Sequence, residues 1–128
     1  MEQKTATLQV VEKETYVVLE FSGYLQYTLI EELKKRLQTT RFKEGHSFIL
    51  DMSNVQNIDS TGFGMIVNFA KKVSLKNEKI AIIVVDAFVR KLFAISQCDK
   101  VFPIVDNETA ALQIIQQTVK TELSINEY

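Results

Sequence analysis

The chain carries one cysteine, one proline, one histidine, four glycines and no tryptophan in 128 residues. Each scarcity removes a class of explanation. A lone Cys98 cannot close an internal disulfide, so no covalent staple is expected. One cysteine and one histidine leave too few soft donors for a zinc or other transition-metal centre, and no metal or cofactor is expected. With Pro103 alone and so few glycines, no linker, repeat or low-complexity stretch divides the sequence. The longest apolar run, Ile80 to Val85, is far too short to span a bilayer. The polar start, Met1-Glu2-Gln3-Lys4-Thr5, leads into no apolar stretch of the kind a signal peptide needs. Charge is balanced, with 15 basic and 16 acidic residues, so no global field draws the molecule to nucleic acid. These absences predict a cytoplasmic protein without nucleic-acid partner or membrane insertion.

What is present suits one domain. Hydrophobic residues make up 46% of the sequence, and a chain of this length buries roughly two-thirds of its unfolded surface. We expect a single domain over 1–128, with its core at about 5–120 and a frayed tail at 121–128. Thr5 to Val11 and Thr15 to Phe21 read as strands joined by Glu12-Lys13-Glu14, the second ending at Ser22-Gly23. Leu29, Ile30, Leu33 and Leu37 recur at helical spacing, opposite Lys34-Lys35-Arg36 on a solvated face.

The second half repeats one order: apolar strand, acid, helix. Ser47 to Met52 leads to Asp59 and a helix to about Lys72. Ile80 to Val85 leads to Asp86 and a helix carrying Val89, Leu92, Phe93 and Ser96. Val101 to Val105 leads to Asp106 and a helix carrying Ala111, Leu112, Ile115 and Val119. Acids at helix starts cap free N–H groups and suit the positive end of the helix dipole. Right-handed crossovers make these strands parallel, while the opening hairpin is antiparallel, so the sheet is mixed and the class α/β.

The segment Ile58-Asp59-Ser60-Thr61-Gly62-Phe63-Gly64 stands out. Its simplest role is an N-cap worth about 1 kcal/mol. The cap does not explain two glycines in the first turn, each costing roughly 0.5–1 kcal/mol relative to alanine. They imply close approach to the backbone, either by a partner using a low surface around Phe63 and Met65 or by tight packing of helix on sheet. A phosphate on Ser60 would bring about −1.5 to −2 charges. The helix N-terminus would accept it, whereas Asp59, and Asp51 if near, would repel it. Gly62-x-Gly64 lacks the third glycine and following lysine of a phosphate loop, and Lys71-Lys72 lies too far along the helix to serve. Ser60 also lacks the Gly-x-Ser-x-Gly elbow of hydrolases, and His46 is the only histidine for a triad. No catalytic residue is assigned. Arg90-Lys91 sits in the first turn of its helix, where cations suit the dipole poorly, either by chance or as a basic surface at the same sheet edge as Ser60.

Taken together, Gly23-Tyr24-Leu25, Phe48-Ile49-Leu50-Asp51-Met52, Asp59-Ser60-Thr61-Gly62-Phe63-Gly64 and Val89-Arg90-Lys91-Leu92-Phe93 resemble the STAS domain of bacterial anti-sigma factor antagonists, over about residues 5 to 120. The resemblance implies a mixed sheet of four or five strands, with about four helices packed mainly on one side. It implies phosphorylation at Ser60 rather than Thr61. It also implies an anti-sigma factor with serine kinase activity as partner, and a PP2C-type phosphatase that restores binding. The partner surface it implies comprises Asp59, Ser60, Thr61, Gly62, Phe63 and Gly64, with Tyr24, Gln26 and Arg90. Two positions depart from the family pattern: Gly23-Tyr24-Leu25-Gln26 carries no acid, and Phe63 replaces a leucine. The acid-free segment favours an alternative, a STAS interaction module without phosphorylation that serves as scaffold or transport-system subunit. A third class would be a sensor of nucleotide or lipid.

Overall fold

The computed structural model describes residues 3–116. In strand β1 (Ala6–Glu12), Ala6, Leu8 and Val10 face one way, and Thr7, Gln9 and Val11 the other. It pairs antiparallel with β2 (Tyr16–Leu25), and the turn between them closes with Lys13 N–H donating to the Tyr16 carbonyl at 2.8 Å. Helix α1 (Glu31–Thr39) follows, then β3 (Ser47–Ile58), α2 (Ser60–Leu75), β4 (Ile80–Ile83) and α3 (Ala87–Ile95). A short 3-10 turn, Cys98–Lys100, precedes β5 (Ile104–Val105), and residues 108–116 are helical. The sheet order is β1-β2-β3-β4-β5, with every pair after the first parallel. This is the mixed sheet expected from the sequence.

Burial explains the layers. Val17, Leu19 and Phe21 of β2 join Phe48, Leu50 and Met52 of β3 in the larger core, which Leu33 of α1, Ile66 and Phe69 of α2, and Val89 and Phe93 of α3 complete. On the opposite face, Val18, Ile49, Ala81 and Ile83 pack against Ala111 and Ile115 of the 108–116 helix. Three helices therefore cover one face and the 108–116 segment the other, which requires β4 to be apolar on both sides. Ile80 to Val84 are all buried.

Several boundaries differ from the expectation. β2 does not stop at Ser22-Gly23. It runs on to Leu25 through two register shifts against β3, because Gly23 adopts φ +90° and lets Tyr24 N–H reach the Thr5 carbonyl at 2.8 Å. β3 likewise continues past Met52 to Ile58, since the register shifts against β2 bring Val55 and Ile58, at every third position, back into the core. Asp51 thus sits mid-strand, roughly 30 Å along the chain from the start of α2. It binds Ser53 instead, through N–H and Oγ contacts of 3.0 and 2.6 Å. Val85 is exposed, outside β4. β5 is only Ile104–Val105, as Val101 belongs to a turn and is exposed. The last cap is Asn107, whose Oδ1 accepts Ala110 N–H at 2.8 Å, and Asp106 is taken by Arg90. Val119 and the expected frayed tail at 121–128 lie outside the described residues.

Candidate functional site at the start of helix α2

β2, β3 and β4 point their carboxyl ends toward one edge of the sheet. The loops entering α1, α2 and α3 therefore meet there. At that edge Ile58 is buried, and the chain turns directly from β3 into α2 through Asp59, whose backbone is extended at φ −105°, ψ −178°. The Asp59 carboxylate accepts Gly62 N–H at 2.8 Å and Tyr27 N–H at 2.9 Å, and its own N–H donates to the Leu25 carbonyl at 3.1 Å. One residue thus caps α2 and ties the loop after β2 to it. The Gly62 N–H is the largest influence holding the Asp59 carboxyl below its ordinary value of 3.8. Burial pushes the other way, and the Tyr27 and Thr61 N–H groups add to the lowering.

A folded-state value below the unfolded one means the cap's contribution is fully present above pH 3.8 and fades as pH falls from there toward the folded value. Asp59→Ala is therefore expected to lower stability by about 1 kcal/mol at neutral pH. In denaturant titrations the gap to the wild-type chain should shrink below pH 4. A gap independent of pH would show that the carboxylate charge plays no part.

Ser60 and Thr61 open α2 and are exposed, and neither hydroxyl has a hydrogen-bond partner among the described residues. With Asp59 acting as the cap, the Ser60 hydroxyl is left over for other chemistry. The two glycines then separate in role. A Cβ on Gly62 would lie 2.0 Å from the Leu25 carbonyl oxygen, so tight packing of helix on sheet accounts for that residue. A Cβ on Gly64 would meet nothing within 4 Å. Of the low surface that a partner could use around Phe63 and Met65, only part is open. Met65 is buried, and the half-buried Phe63 ring packs edge-on against Phe93 of α3, with centroids 4.9 Å apart.

The other residues named from the sequence fall in two groups. Half-buried Gln26 immediately precedes Tyr27, so the acid-free segment does border the Asp59 clamp. The Tyr24 ring lies under the Lys4 ammonium, 5.3 Å from the centroid. Arg90 pairs with Asp106 and donates to the Ile104 carbonyl at 3.4 Å, beside β5, with β4 between it and the end of β3. Its partners are not those of the Ser60 loop.

Sequence reading missed three exposed apolar groups near this edge: Tyr27, Val85 and Phe88, at 68%, 59% and 56% exposure. Phe88 was detectable, since it lies off the Val89–Leu92–Phe93 stripe that faces the core. Nothing local marked Tyr27 or Val85.

Hydrolase geometry does not form. His46 precedes β3 and Ser60 follows it, so a strand of 12 residues, roughly 35–40 Å, separates them. The His46 ring instead lies 3.0 Å from the Glu14 carbonyl oxygen. Among the described residues no group of three His, Cys, Asp or Glu side chains could hold a metal, and no helix is long and apolar enough to cross a membrane.

Known proteins share this fold. An anti-sigma F factor antagonist of Paenibacillus polymyxa is 27% identical over 97 residues, spanning 75% of this chain and 83% of that protein. The crystal structure of an anti-sigma factor antagonist from Mycobacterium paratuberculosis superposes with a TM-score of 0.78 at 17% identity, covering 88% of this chain and 95% of that one. The Bacillus cell fate determinant SpoIIAA in its phosphorylated form superposes with a TM-score of 0.62 at 20% identity, covering 83% and 96%. The STAS domain profile matches residues 7–111, and the chain belongs to the STAS domain family.

Proposed function

We propose that this protein is an anti-sigma factor antagonist that changes partners through phosphorylation of Ser60. The observation that carries this reading is an exposed Ser60 hydroxyl at the first residue of α2, with the capping role already filled by Asp59. A phosphate there faces the positive end of a 16-residue helix, so the fold accommodates the new charge. A partner pressed against Tyr27, Val85 and Phe88 would have to desolvate it.

In this reading the anti-sigma factor is the serine kinase. The Ser60 oxygen attacks the γ-phosphorus of ATP, ADP leaves, and the hydroxyl proton passes to a base on the kinase. A PP2C-type phosphatase hydrolyses the ester and returns the chain to its binding form. The chain is substrate and competitor, not catalyst, and works in the cytoplasm without cofactor or nucleic acid. The relatives named as anti-sigma factor antagonists support this assignment.

The test is phosphotransfer from the native kinase and ATP, read by intact mass. One phosphate is expected on the wild-type chain and on Thr61→Ala, and none on Ser60→Ala. Phosphate retained by Ser60→Ala would overturn the assignment. No phosphate on any variant would favour the second reading, an unphosphorylated scaffold or transport-system module, which Gln26 in place of an acid recommends.

A further inference from the structure

At the opposite end of α2 the surface has a different character. Helices α1 and α2 leave between them a groove of about 680 Å³, lined by Leu37, Phe42, Phe69, Val73 and Leu75 among others. A smaller hollow beside Lys34 and Asn68 extends it along α2, sharing Leu37, Phe69 and Lys72 with the groove. The aromatic floor is fixed in place. Phe42, Phe48 and Phe69 stack edge-on in a triangle, with centroids 5.2, 6.1 and 5.5 Å apart. Leu75, an apolar side chain at the groove's lip, is 83% exposed.

The rim is predominantly basic, with four cations against two carboxylates. Lys34, Arg41, Lys72 and Lys76 border the two hollows, and none is in an ion pair among the described residues. The carboxylates there are Glu44 and Glu78, and Glu78 already accepts Gly45 N–H at 3.0 Å. A chain of net charge −1 has therefore gathered cations around one apolar trough.

We infer that this α1–α2 groove is a second docking site, for an acidic amphipathic helix of a partner protein. Leucine-like side chains at i, i+3 and i+4 of such a helix would lie on the Leu37, Phe42, Phe69 and Leu75 surface. Its flanking carboxylates would meet Lys34, Arg41, Lys72 and Lys76. Charge complementarity selects this occupant over a neutral or basic one and speeds its encounter. The site is independent of the Ser60 reading. The groove lies on the C-terminal half of α2, which spans roughly 24 Å from end to end. A partner can hold it while the Ser60 edge is occupied, free or phosphorylated.

The experiment titrates the full chain, 15N-labelled, with a synthetic 18-residue helix of glutamates and leucines at that spacing. A peptide of the same composition in scrambled order is the control. Expected are amide shifts at Leu37, Phe42, Phe69 and Leu75 with none at Ser60, and at least tenfold weaker binding for the Lys72→Glu, Lys76→Glu double variant. Both lysines are exposed, so an unchanged melting temperature should confirm that the variant folds. Equal binding of the scrambled peptide, shifts at the Ser60 edge, or no shift at millimolar peptide would overturn the inference. So would the same amides shifting with chain concentration alone, which would make the occupant a second copy. Binding to phosphatidylglycerol vesicles without any peptide binding would also overturn it, pointing to a lipid surface. Because none of these readings uses phosphate, failure here leaves the Ser60 assignment standing.

Discussion

Ser60→Glu should bind the anti-sigma factor at least tenfold more weakly than the unmodified chain, while its own fold becomes slightly more stable. The two effects have opposite signs for one reason, the location of the charge. Ser60 is the first residue of α2, where a negative side chain gains about 0.3–1 kcal/mol from the helix dipole. Tyr27, Val85 and Phe88 are exposed at the same edge of the sheet. A partner covering them would strip water from the glutamate without supplying a counter-charge, at a cost of roughly 2–5 kcal/mol for a buried unpaired charge at an interface. Each 1.4 kcal/mol is tenfold in affinity. A phosphate, at about −1.5 to −2 charges, should act more strongly than glutamate in both respects. Calorimetry of binding and a melting curve on the same variant separate the two. Unchanged affinity would sink the charge argument, and a fall in stability would show that the helix end is not the acceptor supposed.

Gly62→Ala is expected to destabilise the fold by roughly 3 kcal/mol or more, at the upper end of overpacking costs. The added Cβ would sit 2.0 Å from the Leu25 carbonyl oxygen and 2.8 Å from its carbon. Backbone cannot swing aside as a flexible side chain would. Relief requires α2 to lift from β2, which would disturb the Asp59 N–H contact to that same carbonyl. Gly64→Ala provides the contrast two residues away. Its Cβ enters open space, so replacing a helical glycine should stabilise by about 0.5–1 kcal/mol. Denaturant midpoints of the two variants should therefore move in opposite directions. A Gly62→Ala chain as stable as wild type would mean that the close approach of helix and strand is not required.

These glycines show where sequence reading stopped. Both break helix propensity equally, and both implied a close neighbour. Only the packing of α2 on β2 reveals that one is filled from inside and the other is open. The long strands tell the same story. The alternation Val17, Leu19, Phe21 was legible, but its continuation to Leu25 depends on bulges and on Gly23 at positive φ, and neither has a periodic signature. The early stop assigned to β3 left open whether Asp51 lies near Ser60, and the longer strand carries it well away.

Composition and periodicity by themselves determined an α/β fold with a hairpin followed by parallel strands. They also determined which acid opens α2 and α3, and that no disulfide holds the chain together. Those properties follow from local preference: apolar repeat, capping chemistry, residue counts. Tertiary structure decided what depends on residues distant in sequence. It used Asp59 to join Tyr27 to Gly62, paired Arg90 with Asp106 rather than leaving it for the Ser60 loop, and placed His46 a full strand away from Ser60. It also left Tyr27, Val85 and Phe88 uncovered at one end of the helices and a cation-rimmed groove at the other. A side chain's local sequence sets which element it belongs to, but its partners are chosen by how those elements stack.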